Sequence, residues 1–79
     1  MPVYIVKRDD GMWLMSYRTL GVMMTDDGGG TYPVYACVWG SKRSRAHTFY
    51  QLWKAKSVMR GHSGFTIIMV DGSGEKPVE

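Results

Sequence analysis

Nineteen residues, Lys42 to Arg60 (KRSRAHTFYQLWKAKSVMR), hold six of the chain's ten lysines and arginines and no acidic residue. Lys42, Arg43, Arg45, Lys54, Lys56 and Arg60 can meet phosphates as backbone contacts that read no base sequence. Tyr50 and Trp53 beside them can stack on bases or fill a pocket in a partner. Trp, Tyr and Arg are also the types that dominate hot spots between proteins. These eight residues are the candidate partner-binding set, and their chemistry leaves a protein and a nucleic acid both open as the partner. No aromatic RNP pattern, GXXG loop or helix-turn-helix accompanies them.

Covalent and metal chemistry have less to stand on. Cys37, His47 and His62 lie far apart in sequence, without the close paired spacing of a zinc site. Asp26-Asp27 is followed by three glycines and Thr31, so no further carboxylate completes a calcium loop. The same GGGT lacks the lysine and following helix of a phosphate-binding loop. Cys37 would need His47 or His62 brought to it as a base; a lone cysteine within a strand is otherwise a small apolar packing residue. Asp9-Asp10 and Asp26-Asp27 both fall in turns. The expectation is a protein that is not an enzyme and holds no cofactor or metal.

The basic stretch must be carried by a helix. Thr48 and Gln51 have capping-box spacing, Gly61 suits a left-handed stop, and Lys56 and Arg60 fall where cations favour the helix dipole. A helix over 49–60 puts Leu52, Ala55, Val58 and Met59 on its inner side and Phe49, Trp53, Lys56 and Arg60 on a flanking stripe. Ahead of it, Val3–Arg8 and Trp13–Arg18 alternate around Asp9-Asp10-Gly11, a hairpin signal. In the first strand Ile5 is the preferred core residue. Val22-Met23-Met24 reads as a separate short run before the mobile hairpin loop TDDGGGTYP. Pro33–Trp39 is the next strand, with Tyr35, Cys37 and Trp39 on one face, and 45–48 adds a short edge piece. Phe65–Val70 (FTIIMV) is near-continuously apolar, as in a strand covered on both faces and placed inside a sheet.

Strands, one helix, then a strand make an α+β chain: a single small domain over residues 1–70, with a twisted, mainly antiparallel sheet of about four or five strands and the helix on one face. Residues 71–79 are polar, rich in glycine and expected to fray. At 79 residues the core is thin and depends on large side chains such as Trp13, Trp39, Leu52, Trp53, Phe65 and Ile67. Charge is uneven: the acidic residues all lie before residue 42 or after residue 70, so the middle is expected to fold into one positive face, suited to phosphates or an acidic protein surface. One cysteine suggests a reducing, cytoplasmic compartment. No secretory pattern opens the sequence and no apolar run approaches the roughly 20 residues that cross a bilayer, so no membrane partner is expected.

The outline YIVKRDDGMWLMSYR, a strand ending in Trp39, Ala46 three residues before Phe49, Ala55 on the helix and a closing FTIIMV resembles small bacteriophage accessory proteins of the anti-CRISPR kind. That resemblance implies an inhibitor, working in the host cytoplasm, that binds a bacterial defence or other host protein complex and blocks its access to nucleic acid or a partner. The basic middle argues against DNA mimicry. A small nucleic-acid-binding protein is the alternative, and a homo-oligomer joined through Met12, Met15, Met23 and Met24 is a third reading.

Overall fold

A computed structural model describes residues 2–78. Five strands, β1 (Val3–Arg8), β2 (Trp13–Met24), β3 (Thr31–Gly40), β4 (Phe65–Asp71) and β5 (Gly74–Pro77), form one antiparallel sheet in the order β3-β2-β1-β4-β5. A single helix, α1 (Leu52–Met59), packs on it, giving the α+β architecture expected. No helix among the described residues is long and apolar enough to cross a membrane.

The first hairpin closes as its turn chemistry dictates. Gly11 adopts φ +92°, a region closed to most side chains, and the Arg8 guanidinium grips both Asp10 oxygens at 3.0 and 2.8 Å. β2 then runs on without a break through Met24, absorbing the Val22-Met23-Met24 run expected to stand alone. Two register shifts against β3 make this possible, leaving Met15 and Leu20 as bulged residues.

β1 and β2 pair only next to their turn, at Lys7 and Trp13, and then diverge. Residues 46–50 fill the opening. The His47 N–H donates to the Leu14 carbonyl at 2.7 Å, and Phe49 exchanges two 2.8 Å backbone bonds with Tyr4. The chain thereby passes through the plane of the sheet. Before the opening, a 3₁₀ turn at Arg43–Arg45 lies on one face; after it, α1 lies on the other.

Alternation along the strands divides the buried side chains accordingly. Val6, Leu14 and Ile67 point to the helix and join Phe49, Ala55, Val58 and Met59 in the main core, with Tyr4, Tyr17, Tyr35, Cys37, Trp39, Leu52 and Phe65 around it. Ile5 and Trp13 are also buried but point the other way. Ile5, Val3 and Val70 line an open groove with the 3₁₀ turn's Arg43 and Ser44 and with Ala46 and Thr48. Val6 is thus the residue of β1 in the main core, and Ile5, expected there, belongs to a smaller second layer.

Two expectations are corrected. The helix begins at Leu52, three residues late, and Gln51 occupies the N-cap without a side-chain cap bond, so the Thr48/Gln51 box does not form. Phe49 is drawn into the sheet and buried to 2% exposure, and a residue paired to Tyr4 in extended form cannot also start a helix. The polar tail, expected to fray, makes strand β5, with Val70 opposite Glu75 and Ile68 opposite Pro77. Its turn is held by the Asp71 carboxylate, which accepts from the Ser73 N–H and hydroxyl at 2.8 and 2.6 Å. β5 thereby covers the edge of the apolar β4, which sits inside the sheet as expected. Glu79, the last residue of that tail, lies outside the described residues.

Candidate partner-binding surface

The helix has only eight residues, and its inner side is spent on the core: Ala55, Val58 and Met59 are buried and Leu52 packs beside them. Trp53, Lys56 and Arg60 follow one another at helical spacing on an outer stripe. Trp53 is 64% exposed and Tyr50, just before the helix, 75%. The expectation that Trp53 helps form the core is therefore corrected; the inner positions of so short a helix are already filled by Ala55, Val58 and Met59.

The cations on this side are positioned by aromatic rings. The Arg60 guanidinium lies 4.0 Å from the centre of the Tyr32 ring and the Lys54 ammonium 5.9 Å from that of Tyr35. Such contacts hold a cation while leaving its outer side available. A shallow open groove of about 350 Å³ runs alongside, lined by Lys56, Arg60, His62, Met59 and Phe65.

Lys42, Arg43 and Arg45 lie on the opposite face of the sheet. Arg43 stacks over Trp13 at 5.7 Å and pairs with Glu75 of β5. Lys42 and Arg45 are exposed and border an open groove of about 340 Å³ with Met15 and Ser41. The single positive face expected from the sequence is therefore two faces separated by the sheet, because the chain crosses it at 46–50. Of the eight candidate residues, Tyr50, Trp53, Lys54, Lys56 and Arg60 share the helix side, and Lys42, Arg43 and Arg45 do not.

His62 has a role that its sequence surroundings did not signal. Its Nε2 lies 2.9 Å from the Tyr35 carbonyl oxygen and 3.9 Å from Cys37 Sγ. A carbonyl can only accept, so Nε2 carries the proton and donates it there. That fixes the loop after α1 against β3. It also removes the nitrogen nearest to Cys37 from service as a base, and burial pushes the Cys37 thiol above its ordinary range. The pair lacks the features of an activated thiolate.

The carboxylates are likewise occupied in turns. Asp27 accepts from the Thr25 hydroxyl at 2.6 Å and the Gly29 N–H at 2.8 Å, which lowers its pKa. Asp10, bonded to Arg8, is lowered in the same way. Among the described residues no group of three or more His, Cys, Asp or Glu side chains converges as metal ligands would.

Comparison of the chain with models of protein families, with curated proteins and with solved structures finds no match.

Proposed function

We propose that this chain is a non-catalytic binding protein that acts by occlusion. It lays the surface formed by Tyr50, Trp53, Lys54, Lys56 and Arg60 on a bacterial host or defence protein complex and blocks that complex's approach to nucleic acid or to a partner. The observation that carries the reading is Trp53, an indole left 64% exposed on a helix whose inner face is buried. Leaving so large a ring in water forgoes stability, and a partner's pocket recovers it on binding. The cations held by Tyr32 and Tyr35 around it supply orientation and attract an acidic surface. A host defence complex, with the host cytoplasm as the place of action, is the partner that the resemblance to anti-CRISPR-type accessory proteins suggests.

Nucleic acid as the principal partner is less favoured by this geometry. The six cations of the basic stretch do not form one track, and Arg43 is already paired with Glu75.

The test is capture from nuclease-treated bacterial lysate by tagged protein, run alongside Trp53→Ala. The expected result is one stoichiometric protein complex retained by the native chain and lost with Trp53→Ala at unchanged circular dichroism. Equal retention by Trp53→Ala would rule out this surface. Capture of nucleic acid alone, weakening steeply with salt, would transfer the function to the alternative reading.

A further inference from the structure

Beyond Arg18 the β2–β3 hairpin extends past the core as a two-stranded arm over residues 18–34, touching the end of the helix where Tyr32 carries Arg60, and the molecule is accordingly long, 42 × 23 × 18 Å. Its β2 strand carries Leu20, Val22 and Met24, which are 62%, 67% and 66% exposed, and Met23 is more than half exposed as well. Among the described residues the backbone of β2 beyond Leu14 has no ladder partner on the side away from β3. A two-stranded ribbon with an open apolar edge is marginal by itself and a ready template for another strand.

We infer that two copies of this chain form a twofold dimer in which their arms lie antiparallel, joined along the free edge of β2. Two features select a second copy as the occupant. The first is charge. Between residues 19 and 34 the only charged side chains are Asp26 and Asp27, at the arm's tip. At its base stand Arg18 on β2 and Lys42 and Arg45 beside Met15. Asp26, Asp27 and Arg18 form no ion pair among the described residues, since the length of the arm separates tip from base. An antiparallel twofold brings each acidic tip to the other copy's basic base, and an axis near Val22 sets Asp26 beside the partner copy's Arg18. Such a surface is complementary to itself, as a twofold interface requires.

The second feature is the choice of edge. β3 is poorly suited to recruit a strand, because Pro33 has no N–H to offer and His62 already occupies the Tyr35 carbonyl. β2 has neither obstruction over Thr19–Met24.

The test is the mass of the purified full-length chain in solution, by sedimentation equilibrium. The expected mass is twice 8.9 kDa. Val22→Lys places like charges on the axis and is expected to weaken the dimer at least about tenfold, the effect of one uncompensated interaction of ordinary size. Arg18→Asp alone, and Asp26→Arg with Asp27→Arg, are each expected to weaken it, and all three substitutions together to restore it. These residues lie outside the core, so a single cooperative thermal transition of the dissociated chain confirms that the variants fold, at a lower temperature where Asp27→Arg removes the bonds from Thr25 and Gly29. A monomer at every concentration, an aggregate without defined mass, or a dimer indifferent to Val22→Lys would overturn the inference. Failure of the triple variant to recover would overturn the tip-to-base arrangement. Trp53→Ala is expected to leave the dimer intact, so the outcome here is independent of the binding surface on the helix.

Discussion

Replacing Phe49 by alanine tests how this small protein is held together. The ring is 2% exposed, stacks on Tyr17 at 5.7 Å and meets the edge of His47 at 4.6 Å, in the opening between β1 and β2. Deleting a phenyl group so enclosed costs about 3–5 kcal/mol, the sum of lost transfer energy and a cavity that rigid neighbours cannot close. The backbone bonds to Tyr4 use the Phe49 N–H and carbonyl and survive the substitution, so the loss reports the ring alone. A domain of 79 residues has a total stability on the order of 4–12 kcal/mol, so the change removes a large part of it. Urea unfolding followed by tryptophan fluorescence and circular dichroism measures the difference, and the melting temperature should fall by roughly 12–40 °C. Phe49→Leu, which keeps most of the volume, should cost under about 1.5 kcal/mol. A loss below about 1 kcal/mol for Phe49→Ala is the value for a half-exposed position on a helix flank, and would refute the placement of this ring between the strands.

Two further outcomes follow from the same contacts. Truncation after Asp71 removes β5 and leaves the apolar Phe65–Val70 run as an open edge, so the shortened chain should scatter light and lose solubility; unchanged solubility would mean that β5 gives β4 no protection. Asp10, Asp27 and Asp71 all have lowered pKa values, through bonds from Arg8, Thr25 and Ser73 respectively. A lowered carboxylate stabilises the fold above its unfolded pKa and loses that contribution as pH falls through its folded pKa. Stability should therefore be flat near neutrality and decline on acidification below the ordinary carboxylate range, and Asp27→Asn with Asp71→Asn should flatten that decline in a series of thermal melts.

Several features were legible because they depend on neighbours in sequence. Asp-Gly between alternating runs specified the first hairpin, and Gly11 takes the positive φ that such a turn needs. Gly61 also takes a positive φ, +84°, but in the turn from Met59 to His62, the helix having already ended at Met59 with Arg60 extended. The inner side of α1 followed from its period, and the unbroken apolarity of Phe65–Val70 placed β4 within the sheet. Tyr35, Cys37 and Trp39 on one face of β3 followed from alternation.

What tertiary structure alone decided concerns partners distant in sequence. A helix-start signal at Thr48 was overridden because Tyr4 and Leu14 offer the passing backbone better hydrogen bonds and the core offers Phe49 a site. GEKP has no strand character of its own and becomes one because β4 supplies a template edge. The separation of Lys42, Arg43 and Arg45 from Trp53 and Arg60 depends on which face the chain is on when it leaves β3 and where it crosses. Charge and aromatic content in a linear stretch record which chemistry is available; whether that chemistry shares one surface is set by the sheet's opening, which only the long-range pairing of β1 with β4 and of β2 with β3 creates.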